Sequence, residues 1–231
     1  MNANSTASNA ASDMAPLLAF FRRQKVSFNS TTQPSWYTYY EQHLKPPSAH
    51  IGQWSGAVAS RLLSPDVFSG PTRATLSKTL LDLHNENVNL WLMLVTPTRF
   101  NHTKTSAVHP SWATAIWSVR INDKWDQYSD PPLSGSDFHA HFARVHQVLE
   151  PLRELVTLVS DTGVSINEAD IWEDWHAQVF WGRHNFENLR IIKDNVDPDN
   201  MLTHYQAIGW KRNAGSYMCY PKKPEAEGFE L

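Results

Sequence analysis

Cysteine is almost absent from this chain, with Cys219 the only one among 231 residues. A single cysteine excludes an intramolecular disulfide and a zinc site built on several cysteine ligands. Basic charge is not in excess either, because 20 Lys and Arg stand against 23 Asp and Glu, for a net charge of −3. Proteins that bind nucleic acid carry a strongly basic face, so nucleic acid is not an expected partner.

Long apolar runs are also lacking. No apolar stretch approaches the roughly 18 residues that a membrane helix needs. The N-terminal residues 1–14 are rich in Ser, Asn and Ala, where a secretory signal requires an apolar segment. We therefore expect no membrane partner, a cytoplasmic location and a disordered tail over residues 1–14.

Glycine is scarce, with nine residues, and none of them belongs to a Gly-rich phosphate-binding stretch. Aromatic residues are plentiful by contrast: ten Trp, ten Phe and seven Tyr, within a hydrophobic fraction of 41%. This composition supplies a substantial core. The length favours one domain, which we place at residues 15–212, followed by a tail over residues 213–231.

The apolar pattern predicts strands and helices that do not alternate strictly. Residues 56–63 and 113–121 have the composition of strands, and residues 88–95 form a short apolar run typical of a buried strand. Helices are expected over residues 15–23, 35–44, from Pro71 to about Leu83, over 137–155, and along a stripe of Leu189, Ile192 and Val196 that should face the core. Such an order indicates an α+β fold. Pro151 should kink or end the fourth helix at about Glu150.

Histidines at positions 139, 141 and 146, with His102 and His109 as additions, suggest a metal site at first sight. The spacing argues against it. Positions 139 and 141 on a helix point about 200° apart, whereas a helical metal pair needs a spacing of three or four residues. No metal is therefore expected. Acid–base catalysis by a buried side chain remains open, and His109, Asp170 and His176 are the candidates.

Several blocks of sequence in the second half follow one another in a recognisable order. Residues 105–112 read Thr-Ser-Ala-Val-His-Pro-Ser-Trp, residues 180–185 read Phe-Trp-Gly-Arg-His-Asn, and residues 197–208 read Asp-Pro-Asp-Asn-Met-Leu-Thr-His-Tyr-Gln-Ala-Ile. Together they resemble the C-terminal part of berberine-bridge-enzyme-like FAD-linked oxidoreductases of the fungal type. Residues 166–210 correspond to the C-terminal segment of that family.

The resemblance implies a fold and a set of site residues. The fold would be a large antiparallel sheet with helices packed on its outer face, its inner face meeting the flavin. Trp181, Asn185, His204 and Gln206 fall where the family approaches the cofactor. Asn185 could instead be a helix N-cap, since Asn favours that position. A strand through His204 and Gln206 would point both to one face, although ordinary surface polar groups would fit the same residues.

The resemblance also implies a function. The chain is expected to be the substrate domain of an FAD-linked oxidoreductase of fungal secondary metabolism, acting on a small hydrophobic or natural-product molecule. The FAD-binding domain that precedes it in the family is not seen, so the chain alone should not bind FAD tightly and should need an FAD-binding domain or partner chain. A free-standing non-redox enzyme of the isomerase or cyclase type, or a non-catalytic binding protein, are the alternatives.

Overall fold

The computed structural model describes residues 6–29, 31–44, 54–94, 106–126, 128, 131–159, 162–211 and 220–223. The chain divides into two compact units, Met1–Ile51 and Gly52–Leu231. Each unit is described by itself. Cys219 and His102 lie outside the described residues.

The N-terminal unit contains helix α1 (Ala7–Arg23) and the short helix α2 (Trp36–Tyr39), which continues into a π-helical turn at Tyr40–Leu44. Helix α1 begins earlier than the sequence pattern predicts. The hydroxyl of Thr6 accepts a hydrogen bond of 3.2 Å from the N–H of Asn9, and alanine, which recurs in the first turns, has the highest helix propensity. The helix therefore includes residues 7–14, whose composition predicted disorder.

Within its described residues, the second unit combines one sheet with four α-helices. Its strands are β1 (Trp54–Leu63), β2 (Asn89–Leu94) and β3 (Trp117–Asp126), and its helices are α3 (Thr72–Asn85), α4 (Gly135–Val159), α5 (His176–Trp181) and α6 (Arg183–Val196). Short 3-10 turns occupy Pro65–Phe68, Pro110–Ala113 and Ile166–Glu168. The expected α+β class and the antiparallel sheet with helices packed on it are confirmed. The outer limits of the expected domain, residues 15 and 212, stay predictions.

The sheet has the order β1-β3-β2, and both pairings are antiparallel. Side chains alternate between the faces of a strand, so Ala59 of β1 and Ile121 of β3 point to one side together with the buried residues of α3 and α4. We call this the outer face. The opposite face carries Val58, Arg120 and Asn122, and we call it the inner face.

Helix α4 supplies the largest part of the core, through Val145, Leu149, Leu152 and Val156. It runs without interruption from Gly135 to Val159 and contains Pro151. The expectation that the proline could end the helix near Glu150 is therefore wrong. A proline inside a helix costs about 3 kcal/mol, while each buried leucine contributes roughly 1.5–3 kcal/mol, so burial on both sides of the proline holds the helix together.

Strand β2 is present where the sequence predicts a strand, but it is not buried. Within the described ranges it pairs on one side only, with β3, and Trp91, Leu92 and Leu94 are all exposed. Apolar composition revealed the strand, whereas its position at the sheet edge depends on strand order, which local composition does not determine.

Helix α6 departs further from expectation. It has no buried residue, and Ile192 and Val196 are 55% and 75% exposed, so the prediction that this stripe is core is wrong. Met201 and Leu202, which follow the helix, are also exposed. An amphipathic pattern identifies an apolar face but not the surface that covers it. Among the residues that the structure describes, none packs over the apolar stripe of α6.

Replacing Leu149 by Ala should lower the free energy of unfolding by about 2–5 kcal/mol, because the side chain is fully buried and its removal leaves a cavity. Leu158→Ala is the matched control on the same helix. Leu158 is 85% exposed, so its loss should change stability by less than about 0.5 kcal/mol. Urea unfolding of the two variants measures both, and equal effects would contradict the assignment of the α4 core.

No helix in the described ranges combines the length and the apolarity that a membrane crossing requires.

Candidate functional site

His109 is buried just before β3, at the start of the 3-10 turn Pro110–Ala113. Its Nδ1 accepts a hydrogen bond of 3.1 Å from the N–H of Ser111 and lies 2.8 Å from the Ser111 hydroxyl. That hydroxyl accepts a hydrogen bond of 2.8 Å from the N–H of Gly163. Since Nδ1 accepts from a backbone N–H, the neutral ring carries its proton on Nε2.

Two glycines enclose the His109 ring. A Cβ on Gly163 would lie 2.6 Å from His109 Cγ, and a Cβ on Gly182 would lie 3.0 Å from Pro110 Cδ and 3.6 Å from His109 Cδ2. Gly182 also has a φ of +76°, which glycine tolerates without strain. His109 is therefore a packed anchor between loops in this conformation, below the surface that a substrate would meet.

Asn185 holds the same loop from the other side. Its Nδ2 donates to the carbonyls of Ser106 at 3.1 Å and Val108 at 2.9 Å. The predicted N-cap role is wrong, because α6 begins at Arg183 and its N-cap is Gly182. The Gly182 carbonyl already accepts the N–H of Phe186 at 2.9 Å, so the N-cap lies three residues before Asn185.

The side chains of Trp181 and His204 are at least partly accessible to solvent. Trp181 is half-buried at the end of α5, with ring centroids 5.3 Å from Phe180 and 5.9 Å from Phe186. His204 is exposed, and its Nδ1 donates to the carbonyl of Tyr205 at 3.1 Å. Of the four residues expected near a cofactor, His204 is exposed, Trp181 and Asn185 are partly buried, and Gln206 is buried.

Gln206 is buried and fastens a loop. Its Nε2 donates to the carbonyls of Ile171 and Glu173, both at 3.1 Å. The expected strand that would point His204 and Gln206 to one face is wrong, because this segment forms turns and Gln206 has a φ of +58°. The left-handed backbone interrupts an extended path. The alternative of ordinary surface groups agrees with the exposure of His204 but not with the burial of Gln206.

Asp170 is the centre of a buried polar cluster that links α4 to the C-terminal segment. It accepts hydrogen bonds from His146 Nδ1 at 2.5 Å, Arg153 Nη1 at 2.7 Å and the N–H of Trp172 at 2.8 Å. Burial raises the pKa of Asp170, but the hydrogen bond from His146, the charge of Arg153 and the N–H of Trp172 outweigh it, so the pKa lies below its usual value. Asp170 is thus ionised at neutral pH, which suits an anchor for Arg153 better than a proton donor.

His176, the third candidate for acid–base work, lies at the start of α5. Its ring meets Trp210 edge-on at 5.1 Å and lies 6.3 Å from Phe180. His109 contacts Ser111, Asp170 contacts His146 and Arg153, and His176 contacts Trp210 and Phe180. The role of these three residues in acid–base catalysis stays a prediction.

The sequence did not reveal a buried ion pair between Arg61 of β1 and Glu173, whose side chains are each 4% exposed. Arg61 also donates to the carbonyl of Ser60 at 2.9 Å. A signal was available, because Arg61 is the one charged residue of β1, a strand rich in apolar residues, and a buried charge needs a partner. The partner was not identifiable, since it lies 112 residues away.

The inner face of the sheet forms one wall of a polar cleft with a volume of about 440 Å³. The cleft lies between β1, β3 and the 3-10 turn Ile166–Glu168. The guanidinium of Arg120 lies 4.8 Å over the ring of Trp91, and its Nη1 donates to Glu168 Oε1 at 2.8 Å. The period of two along β3, with Val119 and Ile121 alternating with polar residues, was the sequence signal for this face.

The histidines considered for metal binding have separate partners. His141 Nδ1 lies 2.8 Å from Asp123 Oδ2, His146 contacts Asp170, and His139 Nε2 lies 2.8 Å from the carbonyl of Lys222. Nowhere in the described part of the chain do three potential metal ligands converge.

The fold and this face define an α+β domain whose sheet carries helices on one side and a polar cleft on the other. Residues 165–209 match the family model described as berberine and berberine like. The chain is 26% identical to the FAD-linked oxidoreductase OXR2 of Pyricularia oryzae over 181 residues, 77% of this chain and 30% of that protein. It is 25% identical to the FAD-linked oxidoreductase ZEB1 of Gibberella zeae over 217 residues, 89% of this chain and 35% of that protein.

A third relative is the bifunctional decalin synthase calF of Penicillium decumbens, 23% identical over 203 residues, 84% of this chain and 34% of that protein. The expected resemblance is thus confirmed. The chain carries a berberine-like segment and is related to fungal FAD-linked oxidoreductases, and it spans about a third of the length of these curated relatives.

Proposed function

We propose that this chain forms the substrate side of an FAD-linked oxidoreductase, acting on a small hydrophobic or natural-product molecule in fungal secondary metabolism. The observation that carries the proposal is the berberine-like match at residues 165–209, in a chain that aligns with FAD-linked oxidoreductases over most of its length. The polar cleft on the inner face supports it, because a substrate needs a concave surface with a few placed polar groups.

The cofactor would be FAD, held mainly by an FAD-binding domain from another chain or from further sequence. Trp181 and His204 could meet it with their rings, while Asn185 and Gln206 use their amide N–H groups on backbone carbonyls and would position the adjoining loops. When bound, FAD supplies the hydride acceptor. The residues of this chain would bind and orient the substrate.

The exposed apolar residues of α6 and the segment after it support a partner domain. Ile192, Val196, Met201 and Leu202 are each more than half exposed. Large apolar patches on soluble proteins commonly mark interaction sites. We propose that the FAD-binding domain covers this surface.

The purified chain alone should be colourless after incubation with FAD. Mixed with the FAD-binding portion of OXR2 from Pyricularia oryzae, it should retain flavin and produce peroxide from O₂ with a natural-product alcohol. Flavin absorbance after gel filtration and a peroxide assay measure the two results. A yellow chain with about one FAD bound in the absence of partner would contradict the division of roles proposed here.

The double variant Ile192→Ser with Val196→Ser should weaken association with that FAD-binding portion by roughly tenfold or more, since each buried aliphatic side chain contributes about 1.5–3 kcal/mol. Leu158→Ser is the control, because it removes an exposed apolar side chain from a different helix. Sedimentation or light scattering compares the three proteins. Equal binding by the double variant and the control would place the interface elsewhere.

A non-redox ring-forming function is a second candidate, favoured by the relative named bifunctional decalin synthase. It differs from the first in one measurable way. Product should then form without flavin, with a pH–rate profile governed by a protonatable group on this chain. The flavin-free reaction of a linear precursor, followed by mass spectrometry and chromatography, separates the two functions.

A further inference from the structure

A second cleft lies between helices α4 and α5. Its volume is about 820 Å³, which falls within the range of roughly 300–1,000 Å³ that is typical of ligand pockets. Helix α4 contributes Glu150, Glu154 and Leu158 to its lining, and Trp175, the N-cap residue of α5, joins them. We call it the α4–α5 cleft.

The α4–α5 cleft is separate from the inner face of the sheet. Its three residues from α4 follow one another at steps of four, which places them on one side of the helix. That side is turned away from Leu152, which the helix buries in the core. Strand β1 reaches the cleft through Arg61, which shares the outer face with Ala59 because the two are two residues apart. A ligand in this cleft therefore leaves the inner face free.

The charges that line the cleft favour a cation. The carboxylates of Glu150, Glu154 and Glu173 face only two guanidiniums, those of Arg61 and Arg153. Both guanidiniums are engaged, because Arg61 pairs with Glu173 and Arg153 pairs with Glu150 at 2.8 Å. Glu154 is exposed, and its carboxylate has no partner among the described residues. The lining residues thus carry an excess of one negative charge.

Glu150 and Glu154 lie on successive turns of α4, which separates their Cβ atoms by about 5–6 Å. Like charges at this spacing repel each other. An ammonium group has three N–H donors, so one placed between the two carboxylates would bind both and relieve the repulsion.

Apolar surface adjoins these carboxylates in the same cleft. Trp175 is 67% exposed and Leu158 is 85% exposed. The face of an indole ring attracts a cation and also packs against other rings. A molecule that combines an ammonium group with an apolar body can therefore use the carboxylates and the apolar surface together.

One buried polar group of the cleft has no protein partner. Thr162 lines the cleft, and its side chain is 6% exposed. Within the described residues its hydroxyl makes no hydrogen bond, and it is not among the polar atoms that are sealed from solvent. Buried polar groups in native proteins are almost always hydrogen-bonded. The hydroxyl thus marks the cleft as a space that a ligand or water enters.

We propose that the α4–α5 cleft binds a small organic ammonium ion with an aromatic or aliphatic body. The ammonium group donates to the carboxylates of Glu150 and Glu154, and the body packs on Trp175 and Leu158. This is a binding site apart from the inner face, so it does not rest on the proposed function. No bond is made or broken.

The test uses the full chain and three probes. At neutral pH 2-phenylethylamine carries both an ammonium group and a ring, 2-phenylethanol keeps the ring without the charge, and ethylamine keeps the charge without the ring. NMR titration at low ionic strength should show 2-phenylethylamine binding roughly threefold tighter, or more, than either of the others, since each lacks one of the two contacts. Equal affinity for all three would overturn the proposal.

A charge variant identifies the carboxylate. Glu154→Gln should lower the affinity for 2-phenylethylamine roughly threefold and leave that for 2-phenylethanol unchanged, which shows that the fold is intact. Glu187→Gln is the matched control, because it removes an exposed carboxylate from α6 and changes the net charge by the same amount. Equal effects of the two variants would mean that the whole surface attracts the cation, and would contradict the site.

An aromatic variant identifies the apolar wall. Trp175→Leu should reduce the affinity for 2-phenylethylamine to that for ethylamine, because the ring loses its aromatic partner. Trp36→Leu is the control, since Trp36 is 59% exposed in the N-terminal unit and should have no effect. If Trp175→Leu changes the affinity no more than Trp36→Leu does, the proposed position of the body is wrong.

A lysine side chain of a partner protein would carry the same ammonium group on an aliphatic chain. Nα-acetyl-lysine amide should bind more weakly than 2-phenylethylamine, because it has no ring for the indole. Tighter binding of this probe would overturn the assignment to a small molecule in favour of a protein partner. None of these titrations involves flavin, so the binding site and the redox function proposed above succeed or fail separately.

Discussion

Replacing Arg61 by Met is expected to lower the free energy of unfolding by about 3–5 kcal/mol, because it would leave Glu173 buried and charged without its partner. Both side chains are almost fully buried. A buried ion pair contributes little beyond a well-packed apolar pair, whereas half of such a pair is strongly destabilising. The expected loss of unfolding free energy therefore reflects mainly the cost of an unpaired buried carboxylate, and only to a small extent the contribution of the intact pair.

The double variant Arg61→Met with Glu173→Leu should recover most of that loss, since no charge remains buried. Lys78→Met breaks the exposed pair with Asp82, whose side chains are 77% and 55% exposed, and should cost less than about 1 kcal/mol. Urea unfolding at neutral pH compares the three proteins. If Arg61→Met costs no more than Lys78→Met, Glu173 is not confined in the way the structure indicates.

The Arg61–Glu173 pair matters for function because it joins β1 to the loop that leads into α5. Gln206 fastens the same loop by its bonds to the carbonyls of Ile171 and Glu173. Asp170, at the start of this loop, is held by His146 and Arg153 of α4. The berberine-like segment is thus attached to β1 through Glu173 and to α4 through Asp170, while Gln206 joins two parts of the segment to each other.

Local pattern was enough to predict the fold class and most of the elements. The apolar period along α4 and the β-branched and aromatic residues of β3 reflect constraints that each segment carries in its own sequence. The exposure of β2 and of the α6 stripe was not predictable, because periodicity shows that a face is apolar and does not show what covers it.

The long-range polar contacts show more clearly what the sequence alone does not predict. Arg61 and Glu173 are 112 residues apart, and Arg120 and Glu168 are 48 residues apart. No local spacing rule connects such positions. The resemblance led to Asn185 and Gln206, but only the structure shows that their amide groups bind backbone carbonyls, so the sequence located two structurally engaged residues without showing their contacts.

Replacing Asp170 by Asn is expected to cost about 3–5 kcal/mol at neutral pH, because the substitution keeps the size of the side chain but leaves Arg153 without its buried counter-charge. Asp82→Asn, which removes an exposed carboxylate paired with Lys78, is the matched control and should cost less than about 1 kcal/mol. Unfolding in urea at several pH values measures both.

The pH dependence of the Asp170→Asn effect has a defined sign. The pKa of Asp170 is lowered in the folded protein, since the hydrogen bond from His146, the charge of Arg153 and the N–H of Trp172 outweigh the burial that raises it. A lowered pKa adds stability that is fully present above the unfolded carboxyl pKa of about 3.9 and is lost as the pH falls through the folded value. The stability difference between wild type and Asp170→Asn should therefore be constant near neutrality and shrink in acid. A difference that grows as the pH falls from neutrality towards about 3.9 would mean that the folded pKa of Asp170 is raised and not lowered, which would restore it as a candidate proton donor.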